Sequence, residues 1–252
     1  MPSLRGGVVP VDRLTADDRH AMFAVFQRYY AAVTEERFEA DLAAKDDVIL
    51  LRDDDGVIRG FSTLLLLQVE HAGRTHHGVF SGDTVVDREF WGTKVLGRVF
   101  LGYLFRQRLR RPWSPLWWFL ISKGYKTYLL MANNFPEHWP RHEAPTPPER
   151  QTLLDAFATQ VFPSTYQHAS GLVRQTEASG RLRDGIAAAT TSLTSTNPRV
   201  RYFVERNPDW ARGDELACIA NMSWTMPLRY ALKAVRDRFT RAPRDEAHRR
   251  AS

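Results

Sequence analysis

The stretch Val85-Val86-Asp87-Arg88-Glu89-Phe90-Trp91-Gly92-Thr93-Lys94-Val95-Leu96-Gly97 constrains the fold of this chain more than any other. β-Branched residues close a strand, and a charged turn holding one glycine breaks it. The apolar and arginine-rich run down to Arg111 then predicts a helix over about 91–110. So abrupt a passage from strand to helix aims backbone N–H groups, and the positive end of a helix dipole, at the space beyond the strand. That space suits an anionic group such as phosphate.

The elements around this unit can be read from spacing. Met22, Phe23, Phe26, Tyr29 and Tyr30 recur at helical intervals after Asp17-Asp18, and a second helix is expected over about 34–45, opening at Thr34-Glu35-Glu36-Arg37. Val48-Ile49-Leu50-Leu51-Arg52 and the run from Val57 to Leu65 flank Asp53-Asp54-Asp55-Gly56, a hairpin signal. A second turn, His71-Ala72-Gly73-Arg74, leads into a long strand over 75–86. Lys126-Thr127-Tyr128-Leu129-Leu130-Met131 reads as the next strand, ending at Asn133-Asn134. Beyond the proline-rich stretch 136–148, we expect a helix over 149–162, a helix at 200–206 after the start signal Asn197-Pro198, and a strand within 214–224. From Pro227 onward the pattern suggests a basic helix and a disordered tail after Ala242.

The stretch 85–97 resembles the acyl-CoA loop of the GCN5-related N-acetyltransferase (GNAT) superfamily, often written V-D-P-E-Y-R-G-K-G-I-G. The family's first arginine falls on Trp91 and its two cradle glycines on Lys94 and Leu96. The element order over residues 11–173 matches the first two-thirds of the GNAT fold, in which two strands splay apart to admit pantetheine. The resemblance implies an α+β fold with a mixed, mostly antiparallel sheet flanked by helices, and a C-terminal elaboration. It divides the chain into an acyltransferase core over 1–173, a continuation with a closing strand over 174–225, and the basic segment 226–252.

The implied activity is transfer of an acyl group from a phosphopantetheine thioester, on acyl-CoA or acyl carrier protein, to the amine of a small molecule. Because a thioester is already activated, such an enzyme must align two partners, take a proton from the ammonium and return one to the thiolate. The resemblance assigns the donor to Val85, Val86, Trp91, Gly92, Thr93, Lys94 and Asn133, and the returning proton to Tyr166. From the residues themselves, Asp83 before the turn could serve as base. His77 could too, provided that no bulge takes it off the face of Ser81 and Asp83. A GNAT relative that lacks the glycine cradle and uses acyl carrier protein would suit the basic face of Arg98, Arg106 and Arg108.

Composition sets the limits. The 252 residues carry a net charge of +6, and 43% are hydrophobic and 25% charged, ordinary for a globular chain. A basic balance favours polyanionic partners. One cysteine, Cys218, excludes an internal disulfide and reads as a buried small side chain, and no His or carboxylate spacing suggests a metal. With no signal-peptide pattern and no apolar run long enough to span a bilayer, a cytoplasmic location is expected. Trp113-Ser114-Pro115-Leu116-Trp117-Trp118-Phe119-Leu120-Ile121 reads as core, as the wall of an acyl pocket, or as a peripheral membrane contact. Two other readings stay open: a catalytically retired GNAT-like binding protein, and a basic binder of membrane surfaces or nucleic acid. Nucleic acid ranks last, since no recognition helix or zinc motif is present.

Overall fold

The computed structural model describes residues 3–31, 33–174, 181–182 and 191–226; the basic segment expected from Pro227 onward lies outside them. The strands are β1 (Arg5–Pro10), β2 (Tyr30–Ala31), β3 (Asp47–Arg52), β4 (Ile58–His71), β5 (Arg74–Val86), β6 (Leu116–Ser122), β7 (His138–Trp139), β8 (Tyr166–Gln167), β9 (Leu172–Val173), β10 (Arg181–Leu182) and β11 (Glu215–Asn221). The helices are α1 (Ala16–Tyr29), α2 (Glu35–Ala43), α3 (Val95–Arg110), α4 (Tyr125–Asn134), α5 (Pro148–Val161), α6 (Thr191–Thr196) and α7 (Pro198–Arg206).

A nine-stranded sheet runs in the order β1-β3-β4-β5-β6-β11-β9-β8, with β7 beside β11. All of its pairs are antiparallel except β5 with β6. A right-handed helical crossover is the usual way to join neighbouring parallel strands, and α3 lies between these two in sequence. The fold is therefore the mixed, mostly antiparallel α+β arrangement that the resemblance implied.

Strand alternation sorts the core onto two faces. Ile49, Leu51, Leu64, Val79, Trp118, Leu120 and Cys218 pack with side chains of α3, α4 and α7. Val48, Leu50 and Phe61 meet α1 and α2, while Trp117, Phe119 and Ile219 meet α5. With both faces covered, β6 needs no polar alternation, and its unbroken Leu-Trp-Trp-Phe-Leu-Ile sequence follows. The tryptophan run is thus core from Leu116 onward. Trp113, in contrast, is 90% exposed.

Two expectations require correction. Residues 126–131 are helical, inside α4, because the buried side chains Tyr125, Tyr128, Met131 and Ala132 recur at three- and four-residue spacing. The strand after the crossover helix is the tryptophan run instead. The crossover helix also starts later than expected, at Val95. Before it come a short 3-10 turn over Arg88–Phe90 and Gly92, whose φ of 86° is open to glycine at little cost. Other elements agree closely. Thr15 and Asp18 form a capping box on α1, and the side chain of Thr34 accepts the Arg37 N–H to open α2.

Candidate active site

The parallel pair holds only part of its length. β5 and β6 are in register from His77 opposite Leu116 to Ser81 opposite Leu120, and then they part. β4 shows the reason. Leu64 faces Ser81 and Ser62 faces Thr84, so β5 carries one extra residue at Gly82-Asp83, a β-bulge. Gly82 is required there, since a Cβ would lie 2.6 Å from the Thr63 hydroxyl. That buried hydroxyl has no hydrogen-bond partner among the described residues.

Into the opening sinks a cleft of about 1230 Å³. Asp83 and Thr84 line it from β5, Ile121 from β6, and Lys123 and Gly124 from the turn that follows. Leu65, Phe80 and Leu120 add apolar side chains to the lining. On one side stand Tyr30, Arg37, Asp41 and Lys45, from the end of α1 through α2. On the other stand Trp91, Gly92 and Thr93 with Leu96 of α3, facing Lys126, Thr127 and Leu130 of α4.

The centre of the cleft is charged. Asp83 is held above the ordinary carboxylate value, first by loss of solvent and then by Asp41, with Lys45 and Lys123 pulling the other way. Tyr30 stacks on Phe26 with ring centroids 4.4 Å apart. Burial, then Asp83 and Glu215, push its phenol far up, so the proton stays on. Lys123 lies 3.4 Å from Glu215 and 5.4 Å over the Tyr30 ring. This site can hold a neutral or anionic carboxyl, a protonated phenol and a cation within one enclosure.

The anion-binding side is built from the turn. Asp87 is buried and takes Arg28 at 3.0 Å and Arg59 at 3.7 Å, while the Arg88 N–H donates to the Tyr29 hydroxyl at 2.7 Å. These bonds pin the turn to α1. The Trp91 indole donates to the Val86 carbonyl at 2.8 Å, which lays its ring beside the cleft, with Lys126 at 5.3 Å and Arg88 at 5.5 Å from the ring centroid. α3 has no side-chain cap, so the N–H groups of its first turn are available to an anion.

The residues expected from sequence divide accordingly. Asp83, Val86, Trp91, Gly92 and Thr93 line the cleft. Val85 points to the opposite face and packs with α1 and α2. Lys94 is exposed and outside the lining. Asn133 sits on α4, where Arg199 donates to it at 2.6 Å, away from the cleft. Tyr166 is buried, and its hydroxyl donates to Asp155 at 2.5 Å. Burial and that carboxylate raise its pKa, and it does not line the cleft. His77 lies at the opposite, paired end of β5, and the bulge breaks the face it would share with Asp83. Burial, then Arg111, lowers its pKa.

Sequence reading missed Tyr30, Lys45, Lys123, Lys126 and Glu215. Tyr30 was legible only as one member of an apolar helix face, Lys123 only as a flank of the tryptophan run, and Lys126 only as the first residue of an expected strand. Cys218 is buried with its thiol pushed up by desolvation, as a packing residue should be. Among the described residues no His, Cys, Asp or Glu group could hold a metal, and no helix is long and apolar enough to cross a membrane.

No family model and no curated protein matches the sequence. Several solved structures overlap it at low identity. A GNAT family N-acetyltransferase from Escherichia coli in complex with CoA is 15% identical over 56% of this chain and 78% of that one, with a TM-score of 0.37. An acyl-CoA N-acyltransferase from Pseudomonas aeruginosa is 17% identical over 53% of this chain and 88% of that one, with a TM-score of 0.40. A conserved protein of unknown function from Enterococcus faecalis is 16% identical over 52% of this chain and 32% of that one, also with a TM-score of 0.40. The chain spans about a third of the Enterococcus protein's length. By its own strand order, with one parallel pair parting over a cleft and a helix opening beside it, the chain has a GNAT-like fold.

Proposed function

We propose that this protein is an N-acyltransferase that moves an acyl group from a phosphopantetheine thioester to the amine of a small molecule. The observation that carries the reading is the parting of β5 from β6 at a bulge that sets Asp83 inside the cleft. A pantetheine arm is thin and hydrogen-bonding, so a gap between two strands suits it. The open first turn of α3, Thr93 and Lys126 supply the anion-binding side. The apolar lining residues, Leu65 and Phe80 among them, offer the acyl chain a surface.

In this reading Asp83 takes a proton from the acceptor ammonium, and its raised pKa makes it a better base than an exposed aspartate. The freed amine bonds to the thioester carbon and the C–S bond breaks. Tyr30, which lines the same cleft and keeps its proton, donates a hydrogen bond to the departing sulfur in place of Tyr166, and the second proton of the attacking nitrogen passes to the thiolate as the amide forms. Lys123 and Glu215 hold the electrostatic balance around the two.

Equilibrium binding of CoA, of a long-chain acyl-CoA and of acyl carrier protein loaded with the same chain tests the proposal. Preference for the loaded carrier makes it the donor, and tight acyl-CoA binding makes CoA the donor. Binding of none overturns the reading in favour of a retired scaffold, which Lys94 outside the cleft and Leu96 at a cradle position would then explain.

A further inference from the structure

Among the described residues, six large apolar side chains are exposed, and three of them gather at the C-terminal end of α3. Leu109 is 62% exposed, Trp113 90% and Trp224 44%. They belong to one surface. The Trp224 indole donates to the Pro112 carbonyl at 3.4 Å, and the Arg108 guanidinium lies 4.8 Å over its ring. Arg108 also donates to the carbonyl of Ser114, which fixes the loop that presents Trp113. Arg106 and Arg110 are exposed beside these side chains, and Arg111 is held by Gln107 at 2.7 Å.

Folding leaves a tryptophan almost bare only at a cost in unburied apolar area, and here the helix that leads into that tryptophan ends in the exposed Arg106 and Arg110. We infer that this patch docks the protein on an anionic phospholipid surface. Tryptophan and leucine would enter the headgroup boundary, where an indole's apolar body and polar N–H are both satisfied, and the arginines would meet lipid phosphates and carboxylates. Nucleic acid fits less well. Leu109 has no π-face on which a base could stack, and Trp224 already carries Arg108. A second copy fits less well too, since three side chains fall far short of the roughly 800 Å² per partner of a standard interface.

The patch stands at the opposite end of α3 from the cleft, about 24 Å away along a 16-residue helix. A docked molecule therefore keeps its cleft open to solvent. The inference stands whether or not the acyltransferase reading does.

Flotation of the full chain with phosphatidylcholine vesicles, with and without phosphatidylserine, tests it. Binding to the mixed vesicles and weak or no binding to phosphatidylcholine alone is expected. Trp113→Ala should cut partitioning about tenfold, as loss of an interfacial anchor would. Arg106→Glu with Arg110→Glu should cut it by about fivefold or more for each arginine removed. A brominated lipid should quench tryptophan fluorescence in the parent and less in Trp113→Ala. Both sites are exposed, and an unchanged melting curve would show each variant folded. No binding to anionic vesicles overturns the inference, as does binding that Trp113→Ala leaves intact. Binding to duplex DNA in preference to vesicles, or a dimer that Trp113→Ala converts to monomer, overturns it as well.

Discussion

The two halves of the β5–β6 pair begin with similar residues and end with different chemistry. From His77 to Ser81 the strands are zipped, and the tryptophans of β6 pair with polar groups at and beside this stretch. His76 is buried, and the Trp117 indole donates to its Nδ1 at 3.0 Å, while the Trp118 indole donates to Ser81 at 2.8 Å. Past the bulge the strands part, and the space fills with ionisable groups: Asp83, Lys123, Glu215 and Tyr30. Where the ladder is complete, burial can only neutralise. Where it opens, burial can tune a charge that a substrate can reach.

The largest effect expected from breaking this contrast is at Asp83. Asp83→Asn should lower the rate of acyl transfer by about 10²–10⁴-fold if a general base is lost, measured as amide formed under single-turnover conditions. It should also stabilise the fold at neutral pH. A carboxyl with a raised folded pKa binds its proton more tightly in the native state. Ionising it therefore costs stability as pH climbs from the unfolded value through the raised one. Melting curves of parent and variant should coincide in acid and separate above that window, the variant melting higher. A lower melting point for the variant at neutral pH would contradict a desolvated Asp83.

Lys126→Ala sharpens the same contrast on the donor side. Donor affinity should fall about tenfold, in the range of a charge-assisted hydrogen bond, with saturated turnover little changed. Titration of the donor at low and high salt checks it, and an equal fall in both parameters would move Lys126 into the chemical step. At the zipped end, Trp117→Phe leaves a buried histidine nitrogen unpaired, which should cost about 1–3 kcal/mol and leave the rate per folded molecule unchanged. The melting temperature should drop by roughly 2–4 °C per kcal/mol in a chain of this size. The smallest effect is expected from Lys94→Ala, less than twofold on donor binding, because its side chain lies outside the cleft.

Much of this architecture was legible beforehand because it follows from local rules. The hairpin at Asp53-Asp54-Asp55-Gly56, the cap at Thr34 and the start at Asn197-Pro198 are each settled by a few neighbouring residues. The turn at 87–92 was found in place, and Trp91 and Gly92 within it, with Val86 and Thr93 beside it, do line the cleft. What escaped depends on distant partners. The run 126–131 is apolar enough for a strand, and only the burial of every third or fourth residue decides for a helix. The site's other half comes from α1, α2 and the start of β11, brought across the sheet by the fold, and no spacing in the chain announces Tyr30 or Glu215. His77 falls outside the site because it lies at the zipped end of β5, and because the extra residue at 82–83, which alternation cannot reveal, breaks the face it would share with Asp83.

That extra residue has a consequence beyond the cleft. Before it, Val79 and Ser81 lean toward the α3 side of the sheet. After it, Thr84 and Val86 do, and Val85 crosses to α1. The strand thus changes phase by half a period partway along. A hydrophobicity profile scored against one phase will therefore find β5 correct in one half and inverted in the other. Upstream of the bulge, inserting or deleting residues in pairs would keep both halves in step. A single-residue deletion at 82–83 would restore one continuous phase with the flanking side chains on their present faces, Ser81 and Thr84 still opposite Leu64 and Ser62, and would close the seam that admits a ligand.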